Sequence, residues 1–252
     1  MGAGDWLMAS GEARKIHKQT GHGVIIVNAM GKIQKSEVFD GVPYILSKPP
    51  AGKPYSKLRN AAGLRPYILA KTMERWTWKP YKPIPAEVFF TPEELAFAEP
   101  FRGAIMVEPN VKAIGHSNKD WGWINWSQLT SSMRLANIGP IIQCLGPGQK
   151  ALNHVIAVGT PTFRHALAVL SVAKAFIGTE GGLMHGAAAV GTPAVILWSE
   201  FISPDITGYA MHRNIRHAGK PCGMRTNCRG CRESMAKILP AEVLANLKEI
   251  LK

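Results

Sequence analysis

Three stretches of this sequence carry residue types suited to handling a charged, phosphorylated ligand. The run FIGTEGGLMHGAAAVGTPAVILW, residues 176–198, breaks a strand-like pattern at Glu180-Gly181-Gly182, passes through a small-residue helix and ends in a second strand. In parallel α/β sheets ligands sit beyond the carboxyl ends of strands, and a helix start offers backbone N–H groups to phosphate. Glycines at 181 and 182 let the backbone approach an anion with no Cβ in the way. A buried helix that needs small residues only for packing explains the same run equally well, so both readings stand. Lys119 lies in HSNKDWGWINWSQL, 116–129, after another strand-like stretch and its loop. Most lysines are simply solvated, but one set before a helix anchored by Trp121 and Trp126 is well placed to reach bound phosphate. Asp5, in GAGDWLMASGEAR, is either a helix N-cap or a general base that takes a proton from an attacking hydroxyl. Glu12 falls on the exposed face of the same helix.

Those residues need strands to carry them. Short buried strands are predicted at 23–28, 103–110, 138–146, 154–160, 175–180 and 193–198, with helical patterns between many of them, which points to parallel α/β construction. Residues 161–174 place Phe163, Ala166, Leu167, Leu170 and Ala173 on one helical face, with Pro161 and Thr162 suited to its start. The proline-rich stretch 79–100 reads as a connection holding a short helix. The expected boundary therefore falls near residue 100, with a short N-terminal half at 1–100 and a larger C-terminal half at 101–252. A doubly wound domain normally has a strand before a glycine turn like the one at residues 2–4. None precedes it here, so either an opening strand is missing or the N-terminal sheet is reduced.

At 252 residues and 46% hydrophobic the chain can bury one large core or two modest ones. No apolar run reaches the roughly eighteen residues of a membrane span. With four cysteines, three of them clustered, a secreted disulfide scaffold is disfavoured and the cytoplasm is the default compartment. The formal charge is +13. Residues 44–82 hold nine Lys or Arg against one acid, Glu74, interleaved with six Tyr and Trp. That composition suits a polyanion, whether nucleic acid, a phosphorylated glycolipid or an anionic membrane surface.

Four motifs in order resemble the heptosyltransferase-like glycosyltransferases of family nine, of GT-B fold. They are GAGDWLMASGEAR, NKDWGWINWSQL with its Lys-x-Trp-x-x-x-x-Trp spacing, FIGTEGGLMHGAAAVGTPAVILW, and the ending CGMRTNCRGCRESMAKILPAEVLANLKEIL. The resemblance covers most of the C-terminal half and the first twenty residues, while 28–100 match weakly. It implies two Rossmann-like domains with parallel sheets, the N-terminal one reduced. The activity it implies is inverting transfer of a sugar from a nucleotide-sugar, commonly ADP-heptose, to a lipopolysaccharide-type acceptor. By the same resemblance Asp5 matches the catalytic aspartate and Lys119 the lysine that neutralises the donor diphosphate. Glu180, Gly181 and Gly182 stand where the family has Asp-Thr-Gly, with Glu180 bonding sugar hydroxyls. The turn at Thr160-Pro161 meets the nucleotide base. His185 either faces the donor or packs. Glu-Gly in place of Asp-Thr gives a longer carboxylate and one hydroxyl fewer, which leaves the donor sugar open.

No cofactor is expected, and the sequence has no Asp-x-Asp pair to hold a metal at the diphosphate. Cys222, Cys228 and Cys231 have a spacing compatible with zinc, yet only one tight Cys-x-x-Cys pair. Reduced cysteines packing a basic loop are the plainer reading. Cys144 reads as core. The expected partners are a nucleotide-sugar donor and an anionic glycolipid or glycan acceptor, with the protein cytoplasmic and peripheral to the inner membrane. Nucleic acid is not expected, although a basic nucleic-acid binder is the competing reading. A degenerate family member that binds the donor without turnover is a third.

Overall fold

The computed structural model describes residues 2–111 and 117–252. Helix α1 (Ala3–Thr20) leads into strand β1 (Gly23–Val27). Its side formed by Leu7, Met8, Ala9 and Ala13 is buried, and Gly21 ends it at φ 70°. That left-handed conformation closes the helix without the Cβ clash other residues would suffer. Strand β2 (Tyr55–Arg59) pairs in parallel with β1, while β3 (Ile68–Lys71) and β4 (Trp76–Trp78) form an antiparallel hairpin. The N-terminal sheet is therefore reduced to two parallel strands.

Helix α2 (Pro92–Ala98) is the short helix of the proline-rich connection. Thr91 and Glu94 cap it reciprocally, each side chain accepting from the other residue's N–H. The Glu94 carboxylate also takes two bonds from Arg164, at 2.6 and 2.7 Å, which tie the connection to the C-terminal half.

The remaining elements are β5 (Ile105–Glu108), α3 (Trp123–Leu135), β6 (Ile141–Leu145), β7 (Ile156–Gly159), α4 (Phe163–Val172), β8 (Ala175–Thr179), α5 (Gly182–Val190), β9 (Ala194–Trp198), the short α6 (Pro204–Thr207), β10 (Arg213–Arg216), α7 (Arg229–Ala236) and α8 (Pro240–Leu251). Six of these strands form one parallel sheet in the order β10-β9-β8-β5-β6-β7. The chain starts at β5 in the middle, winds outward to β7, then crosses back to β8 and winds the other way. The order reverses between β5 and β8, and a crevice opens there at the strands' carboxyl ends.

Both faces of this sheet are covered, which is why its central strands are mostly apolar. On one face Met106, Phe176 and Trp198 pack with Leu167 of α4, Met184 of α5, and Leu7 and Ile26 of the N-terminal elements. On the other, Ile105, Val107 and Val195 pack with Trp126, Leu129 and Val243. Trp121 belongs to this second layer and donates its indole N–H to the Ile238 carbonyl at 2.9 Å. The two tryptophans thus anchor the region around α3 as the sequence suggested. Among the described residues no helix is long and apolar enough to cross a membrane.

Candidate active site

The carboxyl ends of β5 and β8 lie side by side, so Glu108, which ends β5, and Glu180, which follows β8, reach the same cleft of about 770 Å³. Gly181 precedes the first turn of α5 in extended conformation. Lys119 closes a single 3-10 turn over Ser117–Lys119. Its ammonium meets the Glu180 carboxylate and lies 5.0 Å from the centroid of the Phe201 ring. Both partners are largely enclosed, at 14% and 11% side-chain exposure. The lysine and the Glu-Gly-Gly turn, 61 positions apart in the chain, are in contact. A cation therefore sits beside a helix start, whose first amides have no intrahelical acceptor and carry partial positive charge.

The opposite wall is the start of α1. A Cβ added to Gly4 would stand 2.9 Å from Cδ2 of His185 and 3.4 Å from Cα of Gly182. The glycines let the N-terminal ends of α1 and α5 touch. Two helix starts converge on one cleft.

Asp5 is the third residue of α1, and Gly2 is the N-cap. Asp5 caps from inside the first turn, its Oδ2 accepting from the Gly2 N–H at 3.1 Å. Its Oδ1 accepts from the Arg65 guanidinium at 2.7 Å and from the Tyr67 hydroxyl at 3.2 Å. Burial, followed by the Asp5 charge, raises the Tyr67 phenol well above its ordinary range, so it remains a proton donor to Asp5. The carboxylate is oriented at both oxygens while it lines the cleft. Glu12 is half-buried rather than exposed, because the Tyr81 hydroxyl donates to it.

His185 lies in the first turn of α5, with Nδ1 2.9 Å from the Tyr209 hydroxyl. Burial lowers its imidazole to about 4, so it is neutral at pH 7. Thr160 follows β7 at the far end of the cleft, where its N–H and hydroxyl both donate to the Leu145 carbonyl, at 3.0 and 3.3 Å. Between these ends sits Glu108, whose carboxyl burial pushes up to about 7 even though Oε1 accepts from the Asn110 N–H at 2.6 Å. Cys144 of β6 lines the same region.

Sequence reasoning missed Arg65, Tyr67, Glu108 and Arg225. Glu108 had a signal, being the acid that directly follows the apolar run GAIMV at 103–107. Arg225 donates to the Thr72 and Met73 carbonyls at 3.3 and 3.0 Å, and its guanidinium lies 5.9 Å over Trp76 at the cleft wall. Of the nine basic residues in 44–82, only Arg65 is buried; the other eight are exposed. Cys222, Cys228 and Cys231 come together outside the cleft lining, with their sulfur atoms within 4.8 Å of one another.

The sequence model of glycosyltransferase family 9 (heptosyltransferase) matches residues 102–239. No curated protein matches the chain. A glycosyl transferase family 9 protein from Veillonella parvula superposes over 100% of this chain and 95% of its own, at 12% identity and a TM-score of 0.65. The iron-containing dodecameric glycosyltransferase TibC from enterotoxigenic E. coli covers 99% of this chain and 73% of its own, at 13% identity and a TM-score of 0.63. E. coli ADP-heptose lps heptosyltransferase II is 20% identical over 66% of this chain, with a TM-score of 0.49. This chain spans about half of that protein, 53% of its length. The two fuller superpositions show the GT-B-like α/β fold.

Proposed function

The chain belongs to glycosyltransferase family 9, and on that premise we propose that it transfers a heptose-like sugar from an ADP-linked donor to a lipopolysaccharide-type or other anionic glycan, with inversion. The observation that carries this reading is the convergence of the α1 and α5 helix starts on a cleft that also holds Lys119. That arrangement suits a diphosphate, which gains from free amides, from two helix dipoles and from a fixed ammonium.

In the proposed step an acceptor hydroxyl attacks the anomeric carbon from the face opposite the diphosphate. Asp5 takes the hydroxyl proton as the new carbon–oxygen bond forms, and the bond from the anomeric carbon to the diphosphate oxygen breaks. ADP leaves with that electron pair, and its charge falls on Lys119 and the amides of residues 181–182. Arg65 and Tyr67 hold the Asp5 carboxylate toward the cleft so that no reorientation accompanies proton transfer. Glu180 bonds hydroxyls of the donor sugar, the turn at Thr160 borders the base, and His185 supports the α5 start from the buried side. The reading needs no metal at the diphosphate because the protein supplies the positive charge there. The exposed lysines and arginines of 44–82 favour an acceptor carrying phosphate or carboxylate, met by a cytoplasmic protein at the inner membrane surface.

The test pairs binding with turnover. ADP should raise the melting temperature of the purified chain, and ADP-heptose should be consumed in the presence of acceptor. Asp5→Asn should keep the ADP shift and lose turnover by at least about a hundredfold, the usual scale of a general base. Melting that ignores every nucleotide would sink the donor site. Nucleotide binding with no turnover of any sugar would leave a binding protein without transferase activity.

A further inference from the structure

Among the described residues, one group of side chains outside the cleft has the arrangement of a metal centre. Cys222, Cys228 and Cys231 bring their sulfur atoms within 4.8 Å of one another. Cys222 lies 3.4 Å from Cys231 and 3.8 Å from Cys228, sulfur to sulfur. A tetrahedral ion bonded to thiolates at about 2.3 Å sets neighbouring sulfurs about 3.8 Å apart, close to the two separations of Cys222. A disulfide needs sulfurs at about 2.05 Å and uses two of them, which leaves the third without a role.

The backbone is folded around these sulfurs. Cys228 is the N-cap of α7 and Cys231 lies in its first turn, where the helix dipole favours thiolate. The Met224 N–H points at the Cys222 sulfur at 3.5 Å. The Cys222 N–H donates to the Glu200 carbonyl at 2.8 Å, fixing that loop to the end of β9. A Cβ on Gly230 would stand 1.9 Å from a Glu200 carboxylate oxygen, so this side chain runs alongside the turn between Cys228 and Cys231. Arg225, Arg229 and Arg232 are exposed around the cluster. They would offset the net negative charge of three thiolates on a divalent ion.

We propose that Cys222, Cys228 and Cys231 bind one thiolate-seeking transition-metal ion, zinc or iron, with water as fourth ligand. The ion is structural. The buried Asn118, next to Lys119 in sequence, donates to the Met224 and Thr226 carbonyls and accepts from the Cys228 N–H, each at 2.8 Å. The same loop reaches the hairpin wall, where the Trp76 N–H donates to the Gly223 carbonyl and the Arg225 N–H to that of Glu74. An ion at the three sulfurs would therefore fasten the loop that holds the Lys119 turn and Arg225 at the cleft.

Elemental analysis of the full chain, purified reduced and without added metal, tests this directly and assumes nothing about sugar transfer. The expected result is about one equivalent of zinc or iron per chain; optical spectra distinguish the two, since zinc is colourless and thiolate-bound iron is not. Cys228→Ser, at the half-buried position, should lower the metal content at least several-fold. Because a serine variant can also fail by misfolding, cobalt(II) is added to wild-type apoprotein as a second arm. There, thiolate-to-cobalt charge-transfer absorption together with tetrahedral d–d bands is expected. Metal-free protein that takes up no cobalt, or a Cys222–Cys231 disulfide found by peptide mass, overturns the proposal. ADP binding is scored separately, so the failure of either reading leaves the other intact.

Discussion

Lys119 and Glu180 form an ion pair inside the cleft, and a diphosphate arriving there would compete with the carboxylate for the ammonium. The pair is mostly enclosed, so the competition is felt more strongly than between exposed charges. Two unit charges about 4 Å apart at an effective dielectric near 20 interact by about 4 kcal/mol, of which solvent and rearrangement leave a fraction. Opposite changes at the two positions should therefore act in opposite directions. Lys119→Ala removes the cation and leaves Glu180 facing the phosphates; ADP affinity by isothermal titration should fall at least about tenfold, roughly 1.4 kcal/mol. Glu180→Gln releases the ammonium and removes a repelling charge, so ADP should bind several-fold tighter. Turnover of the sugar nucleotide should nevertheless drop, because a sugar-hydroxyl acceptor has been weakened. Weaker ADP binding by Glu180→Gln would mean that Lys119 does not serve the phosphates.

At the scale of elements, the cleft depends on how closely α1 and α5 approach. Alanine is the better helix former by about 0.5–1 kcal/mol, yet a Cβ at Gly4 would press on His185 and Gly182. Overpacking of that kind costs about 1–3 kcal/mol and should win. Gly4→Ala is expected to lower the melting temperature and also to weaken ADP binding, since the two helix starts are forced apart. A variant more stable than wild type would show that the helices do not need this contact. The same contact explains what could and could not be read from the sequence. Strands β1, β5, β6, β8 and β9 were legible because buried parallel strands are continuous apolar runs bounded by glycine or proline. Strand β7 was found as well, but it is an edge strand that buries only Val158 rather than the buried strand expected at 154–160. Strand β2 was not, since Tyr55–Arg59 carries Lys57 and Arg59 outward and exists through its pairing with β1. Edge strand β10 buries only Ile215. In the site, Glu180-Gly181-Gly182 and Lys119 were legible as candidates from their place at strand ends, although packing explained the glycines equally well and solvation the lysine. Arg65 and Tyr67 were hidden in a segment whose charge suggested only a surface, and the fold alone brings residue 65 beside residue 5.

For the whole molecule, buried titratable groups at the cleft (His185, Glu108) and beneath α5, where His212 Nε2 lies 3.4 Å from the Met184 carbonyl, tie stability to pH with competing signs. Burial depresses His185 and His212 to about 4, so the folded protein holds both neutral. Their contribution is complete above the ordinary histidine value of 6.5 and is lost as pH falls toward 4. Glu108 acts the other way, because burial raises it from 4.5 to about 7. Its contribution is present below 4.5 and is lost as pH rises through 7. Near pH 5.5 the unfolded chain binds two protons at the histidines that the folded chain does not, and the folded chain binds one at Glu108. The three groups together thus make stability rise by roughly 1 kcal/mol per pH unit. Glu108→Gln removes the opposing proton, and the slope should roughly double. Urea unfolding between pH 5 and 6.5 measures both slopes. Equal slopes in the two proteins would mean that Glu108 is already ionised in the fold. A steeper variant would establish that this carboxyl stays protonated in the sheet's crevice, where it can donate a hydrogen bond to a bound nucleotide rather than repel it.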